Sequence, residues 1–481
     1  MKSIVSATSY RRLVILDVLF SSEKPVSKKI LTEVATCGLN TLNQDIIAIN
    51  DLFAEDLAQV VEVDKKLFLH VPPDINFDYL VAYKITTSDL FELSLSMFND
   101  EKLLPHEWAT KKYVGLTSYY AKLKEMDTYL AESRLILNNS PLQILGHEMN
   151  IRFHFFYLFS KCYPYSGWII EDFDFETIDI FIKSMESNLR IFFSLTARMD
   201  YAIAIGVSLT RIKQGYKVEL LDEADYMDDL EEYYEAKKID FSSLEKQLGA
   251  PLDREERHLI LLLSALGSFS YLDHSRIEFR MAYHEKYRSK RYEVGVAIAS
   301  LLKDKVTDFD TLLATVLDYL TRFTFVEKKH LIPDIDYFSK QKIPENQMME
   351  DILGVLASFE KQPGYSYIRD NKNIIANHIN DLFSFVLLNE IEESRLHVKV
   401  ISKNGYFWEI YLKSEIRKYY TEELVVFCED LEPREHEPDC DLILSDFPLQ
   451  QKYDIDVLVW HMPPTERDLL RFRSFVYREE Q

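Results

Sequence analysis

The sequence predicts a mainly α-helical, multidomain protein with two winged helix-turn-helix units, two helical bundles and a small C-terminal α/β domain that holds a parallel sheet. Three observations lead to this prediction. The chain has 481 residues, which is more than one hydrophobic core usually organises. A pattern of helices followed by a hairpin occurs twice near the N-terminus, and towards the C-terminus short strands alternate with helices.

The first unit, residues 1–72, begins with an amphipathic helix. Its apolar stripe consists of Leu13, Leu16 and Phe20. A second helix runs from Ser27 to Cys37 and ends at Gly38, where glycine accepts a positive φ at no steric cost. The third helix has its own apolar stripe, formed by Leu42, Ile46, Ile49 and Phe53. Two β-rich runs joined by a polar turn follow, so the unit resembles a tri-helical module whose last helix enters the major groove beside a wing.

The second unit, residues 73–162, repeats the first with a shift of 77 positions. Its first stripe is Leu90, Leu93 and Met97, and Gly115 takes the place of Gly38. The third-helix stripe recurs as Tyr119, Leu123, Met126 and Leu130. A second hairpin pattern covers 134–145. Recurrence is more specific than either copy alone, because any three-helix core can give one such pattern.

The exposed ends of the two third helices carry groups that suit double-stranded DNA. Amides and hydroxyls can pair with base edges or phosphates, and we expect this role for Asn40, Thr41, Asn43, Gln44, Thr117, Ser118 and Tyr120. Lysines nearby are expected to hold the phosphate backbone: Lys28, Lys29, Lys65, Lys66, Lys111, Lys112, Lys122 and Lys124. Each of these residues alone is equally well explained as a solvated helix end, but the set on two repeated scaffolds favours DNA.

The charge distribution is compatible with that expectation. The formal net charge is −23, but residues 1–160 hold 16 Lys and Arg against 20 Asp and Glu, so most of the excess acid lies downstream. A nearly neutral N-terminal third can present a local basic face, while the acidic remainder should be repelled by DNA.

Residues 163–283 and 284–392 are predicted to form two helical bundles, with long apolar helical patterns such as Ile191 to Ile212. The acidic run between Asp222 and Glu232 is predicted to be a solvated face or loop, the alternative being a surface that docks a partner. Residues 393–481 are predicted to be the α/β domain, with strands near 396–401, 424–428, 442–444 and 457–460.

Several protein classes are disfavoured. The four cysteines form no C-x-x-C pair, and no apolar run approaches the ~18 residues of a membrane span, so we expect a cytoplasmic protein without membrane contact. Phosphate-binding, dinucleotide-binding and zinc-protease motifs are missing from the sequence. We therefore expect no enzyme, with no catalytic residues, cofactor or metal.

The paired segments at Gly38-Leu39-Asn40-Thr41 and Gly115-Leu116-Thr117-Ser118, with the helical middle and the α/β end, resemble the Mga/AtxA family of Gram-positive virulence regulators. The resemblance covers nearly the whole chain. It implies a homodimer with two regulatory domains of the phosphotransferase-system (PTS) type and a C-terminal domain like a sugar transporter's IIB component. It also implies a phosphocarrier protein as partner, which would phosphorylate histidines.

Two departures qualify that resemblance. No histidine occurs near Met199-Asp200-Tyr201, where related bundles carry one, and four weaker candidates remain: His258, His274, His330 and His378. The loop Ser402-Lys403-Asn404-Gly405 lacks the cysteine of a phosphorylated IIB domain, so this domain is expected to serve self-association. The alternatives are a phosphotransfer intermediate of a sugar phosphotransferase system and an RNA-binding antiterminator, although the chain lacks an aromatic β-platform for single-stranded bases.

Overall fold

The computed structural model describes residues 7–22, 24–53, 57–101, 104–112, 115–218, 234–287, 290–323, 346–393, 395–420, 424–428, 440–449 and 455–476. These residues form two compact units: one holds 7–298, 313–323 and 355–372, and the other holds 299–312, 346–354 and 373–476. The acidic run near Asp222 to Glu232 and His330 lie outside the described residues. Among the described helices, none combines the length and apolar character needed to cross a membrane.

The first winged module contains three helices and a small antiparallel sheet. Its elements are α1 (Ala7–Phe20), β1 (Val26–Ser27), α2 (Lys28–Val34), α3 (Leu39–Leu52), β2 (Gln59–Val63) and β3 (Lys66–His70). The strand order is β1-β3-β2, and the wing hairpin turns at Asp64 and Lys65, both with positive φ. Leu13, Leu16, Leu42 and Ile49 are buried as the periodicity predicts.

The second winged module repeats this order without the short first strand. An entry helix α4 (Phe77–Thr86) precedes α5 (Asp89–Phe98), α6 (Pro105–Lys111), α7 (Leu116–Glu132), β4 (Ile136–Asn139) and β5 (Leu142–Leu145). The last two strands pair antiparallel as the wing. The starts of α2 and α3 are each 77 residues before those of α6 and α7, so the repeat read from the sequence corresponds to a structural repeat.

The described part of the middle region is mainly helical. Its elements in the first unit are α8 (Glu148–Ser166), α9 (Phe175–Leu189), β6 (Ile191–Phe193), α10 (Leu195–Lys213), α11 (Ser242–Leu248), α12 (Arg254–Leu263), β7 (Phe269–Tyr271), α13 (His274–Tyr287) and α14 (Lys290–Ala299). Three further helices follow: α15 (Phe309–Thr321), α16 (Gln347–Phe359) and α17 (Ser366–Glu393). A hydrophobic core runs from Leu13 to Leu263 through both winged modules and the first helices after them.

The C-terminal domain has the parallel sheet that the sequence predicts. Its elements are β8 (Leu396–Ile401), α18 (Tyr406–Arg417), β9 (Val425–Phe427), β10 (Leu442–Ser445), β11 (Asp456–Val459) and α19 (Glu466–Val476). The strand order is β11-β10-β8-β9, and every neighbouring pair is parallel. Val398, Leu412 and Phe472 lie in its core. The mainly α, multidomain fold class with a C-terminal α/β domain is thus confirmed.

Two local predictions are wrong. The apolar pattern Ile191 to Ile212 is not one helix, because Ile191–Phe193 pairs antiparallel with Phe269–Tyr271 before α10 begins at Leu195. Phe20 is exposed, and Ile15 and Leu19 complete the buried stripe of α1 instead. The reason is the same in both cases. The spacing of apolar residues indicates which positions can be buried together, but it does not indicate which other element packs against them.

Candidate nucleic-acid interface

The third helix of each winged module, α3 and α7, is called here the recognition helix. On α3 the side chains of Asn40, Asn43 and Gln44 are exposed, and Thr41 is half-buried. On α7 the side chains of Thr117, Ser118 and Tyr120 are exposed. Neither helix has an acidic residue in its first turn. The polar residues predicted from the sequence therefore lie on surfaces that a nucleic acid can approach.

The recognition helix α3 is fixed to α1 by a buried carboxylate. Arg11 Nε donates to Asp45 Oδ2 at 2.6 Å, and Arg12 Nε donates to Asp45 Oδ1 at 2.9 Å. Burial alone would raise the pKa of Asp45, but the hydrogen bonds from the two arginines outweigh it and hold the pKa below its ordinary value. The position of α3 relative to α1 thus depends on charge as well as on apolar packing.

The second module keeps this contact with the charges exchanged. Lys122 of α7 forms an ion pair with Asp89 of α5, and these positions lie 77 residues after Asp45 and Arg12. The repeat was found in the sequence from its apolar stripes. This pair could not be found in that way, because the two repeats have different residue types at both positions. The lysine that we expected to contact phosphate is therefore also a contact between helices.

A second polar contact holds each recognition helix to its wing. Asn50 Nδ2 donates to the Val60 carbonyl at 2.9 Å, and the Val60 amide donates to Asn50 Oδ1 at 2.8 Å. In the second module the Leu137 amide donates to Asp127 Oδ1 at 3.4 Å, at the same two positions of the repeat. A polar contact at the same repeat positions thus joins the wing to the recognition helix in each module.

The eight candidate lysines divide into two groups. Four are held by carboxylates: Lys28 by Glu62 at 2.8 Å, Lys29 by Glu33 at 3.9 Å, Lys112 by Glu92 and Lys122 by Asp89. The other four are exposed and make no ion pair with any described residue: Lys65, Lys66, Lys111 and Lys124. The second group is available to phosphates without breaking an existing contact.

The glycine before each recognition helix does not adopt the conformation that the sequence suggested. Gly38 has φ −78° and Gly115 has φ −69°, both in the extended region, and the positive φ falls on Thr36 instead. A Cβ added at either glycine would meet nothing within 4 Å. The prediction of a positive φ at Gly38 is wrong, because the chain reverses one residue before Cys37 and leaves Gly38 as the N-cap of α3.

A buried charge network joins the second module to the helices that follow it. Arg152 on α8 donates to both carboxylate oxygens of Glu256 on α12, at 2.5 and 2.9 Å. Arg211 on α10 donates to both oxygens of Glu148, at 2.9 and 2.7 Å. Arg152 Nε also donates to Glu148 at 3.1 Å, so the four residues form one connected set.

This network also reaches the second wing through Tyr216. The guanidinium of Arg211 lies 3.7 Å from the centroid of the Tyr216 ring, and Arg152 donates to the Tyr216 carbonyl at 3.3 Å. On the other side, Gln143 of β5 donates to the Tyr216 hydroxyl at 3.0 Å. No sequence motif predicts this contact, which spans 73 residues.

The candidate phosphohistidines occupy different environments. His258 is buried within α12, so a phosphocarrier has no access to it in this arrangement. His274 is exposed at the start of α13, and His378 is exposed on α17.

Two modules, each with a recognition helix followed by an antiparallel wing, define the fold class of winged helix-turn-helix proteins. Residues 73–159 match the family model of the Mga helix-turn-helix domain. The capsule synthesis positive regulator AcpB of Bacillus anthracis is 22% identical, over 97% of this chain and 98% of its own length. The capsule synthesis positive regulator AcpA of the same organism is 22% identical, over 86% of each chain. These similarities support a transcription regulator that is similar to the Mga/AtxA regulators over nearly its whole length.

Proposed function

We propose that this protein regulates transcription by binding promoter DNA as a duplex through both winged modules. The observation that carries the proposal is the repeated recognition helix, which presents amides or hydroxyls outward with no acid in its first turn. The exposed Lys65 and Lys66 of the first wing and Lys111 and Lys124 of the second module supply phosphate contacts. The related proteins are named positive regulators, which supports activation.

A shift assay across salt concentrations tests this proposal. Genomic promoter fragments serve as DNA, and the full chain is compared with the Lys65→Ala, Lys66→Ala double variant and with the Lys111→Ala, Lys124→Ala double variant. Each lost phosphate contact should lower the slope of log affinity against log salt by about 0.9. Lys237→Ala with Lys238→Ala is the matched control, because this exposed pair lies outside both modules. An unchanged slope in both module variants would contradict the proposal.

We also propose a homodimer formed through the C-terminal domain. Its helix α18 begins with large exposed aromatic side chains, and Phe407 is 83% exposed. Large exposed apolar groups that lie together mark protein interfaces more often than isolated ones do. Light scattering on the Phe407→Asp variant tests this: a monomer is expected, and a stable dimer would contradict the proposed interface.

Control by the phosphotransferase system is the third part of the proposal, with His274 and His378 as the exposed candidates. Incubation with phosphoenolpyruvate, the phosphotransferase that moves its phosphoryl group to the phosphocarrier, and the phosphocarrier protein should label wild type and not the His274→Ala, His378→Ala double variant. The alternative of a phosphotransfer intermediate is less well supported. Asp446, which directly follows β10, accepts hydrogen bonds from two residues of the loop after β8, Ser402 Oγ and the Lys403 amide, both at 2.8 Å. A carboxylate therefore occupies the donors that a bound phosphate would need.

A further inference from the structure

The first residue of each recognition helix is an exposed leucine. Leu39 is 53% exposed and Leu116 is 51% exposed, at positions 77 residues apart. The cores of the modules are built from other residues, including Leu42 and Tyr119. Leaving half of a leucine side chain in water forgoes favourable burial, and nothing in the fold of either module requires a leucine there.

The two leucines follow glycines with open space beside them, and their helices begin without an acidic residue. Gly38 and Gly115 precede them, and a Cβ added at either glycine would meet nothing within 4 Å beyond its chain neighbours. The first turns of α3 and α7 carry no acid, whereas α4, α5, α8 and α9 each carry at least one there. A helix N-terminus without a carboxylate keeps its full attraction for phosphate. Both features favour close approach of a polyanion at these two points.

The outward stripe of α3 continues the same chemistry. Residues at i, i+4 and i+8 lie on one face of a helix, and here they are Leu39, Asn43 and Ile47. Ile47 is 61% exposed. The face is therefore apolar, amide, apolar, without any charge. On α7 the corresponding residues are Leu116, Tyr120 and Lys124, of which the last two are also exposed.

The major groove of DNA offers one apolar group to such a face, the C5-methyl of thymine. An asparagine amide beside it can pair with both edge atoms of adenine. We propose that Leu39 and Leu116 each contact a thymine methyl at the start of their recognition helix. Ile47 makes the second such contact in the first module, and Asn43 pairs with adenine between them. This specificity role rests on the proposed function, since it requires that the recognition helices enter the major groove.

Replacing thymine by deoxyuracil tests the proposal, because it removes the methyl group and leaves base pairing unchanged. The probes are duplexes selected from a random-sequence pool by the full chain. Losing one buried methyl should weaken binding about fourfold. For wild type, we expect this loss of affinity at one or more thymines in the site of each module. In Leu39→Ala the loss should vanish at the thymine that contacts Leu39 and remain at the thymine that contacts Ile47. In Leu116→Ala it should vanish at the thymine that contacts Leu116.

Leu195→Ala is the matched control. Leu195 is also the first residue of a helix and is 82% exposed, but it lies outside both modules. This variant should keep the full response to deoxyuracil. All three variants should melt like wild type, because none of the replaced side chains is buried.

The failures are distinguishable. If wild type binds no DNA from the pool, the proposed function fails and this inference with it. If wild type binds but deoxyuracil has the same effect on wild type and on both module variants, DNA binding stands and the leucine role is overturned. A change of oligomeric state in Leu39→Ala or Leu116→Ala would assign these leucines to a protein contact and would also overturn the inference.

Discussion

Replacing Glu256 by glutamine removes one negative charge from the buried network beside the second winged module. Glu256 accepts two hydrogen bonds from Arg152 and a third from the Val218 amide at 3.0 Å. Both side chains of the ion pair are almost completely buried. The variant keeps the shape of the side chain but leaves the Arg152 cation with Glu148 as its remaining carboxylate partner.

The expected magnitude follows from burial. Removing one partner of a buried ion pair destabilises proteins by about 3–5 kcal/mol. Glutamine still offers one oxygen to Arg152, so the lower end, about 3 kcal/mol, applies here. Arg152 connects α8 to α12 and, through the Tyr216 carbonyl, to the segment that meets the second wing. We therefore expect local opening of 148–166 and 211–218 rather than loss of the whole fold.

Hydrogen exchange read by mass spectrometry on the full chain measures this opening segment by segment. A loss of about 3 kcal/mol corresponds to roughly 100-fold faster exchange. Glu255→Gln is the matched control, because Glu255 is next to Glu256 on the same helix but its side chain is exposed. Adding Arg152→Met to Glu256→Gln should recover much of the protection, since no unpaired charge then remains buried. Unchanged protection in Glu256→Gln, or no recovery in the double variant, would refute the reasoning.

Three further predictions concern the modules and their attachment. Asp45→Asn should lower the stability of the first module by about 1.5–3 kcal/mol, as expected for charge-assisted hydrogen bonds. Because the pKa of Asp45 is depressed in the folded state, wild type should also lose stability as pH falls below about 4. Thermal melts of the variant should lack this pH-dependent loss. Burial lowers the pKa of His154 to about 4, so the unfolded chain binds a proton first and stability should fall by about 3 kcal/mol between pH 6.5 and 4. The melting temperature of His154→Leu should change less than that of wild type between pH 6.5 and 4. An equal change in both proteins would contradict this. Gly38→Ala should melt like wild type, whereas Gly146→Ala should be destabilised, because Gly146 has a positive φ and an added Cβ would lie 2.6 Å from Leu135. Equal melting temperatures for the two would show that the backbone argument fails.

Much of the architecture was predictable from periodicity. The apolar spacing of Leu42 and Ile49, repeated 77 positions later by Tyr119 and Met126, predicted both recognition helices, and all four side chains are buried. The alternating strands after residue 393 predicted the parallel sheet. The candidate DNA contacts and the domain boundaries stay predictions. Among the candidate residues, the structure separates lysines that are exposed without an ion pair, such as Lys65, from those already held by a carboxylate, such as Lys28.

The sequence by itself determined the elements, their order and the repetition of the winged module, because burial on one face of a helix or strand leaves a period in the chain. The tertiary structure decided which charges meet. Arg12 and Asp45 lie 33 residues apart, and Arg152 and Glu256 lie 104 apart, and no local pattern connects them. Such pairs form only once packed elements set the distance and exclude water, so their partners, and the coupling of the second wing to Tyr216, belong to the folded chain alone.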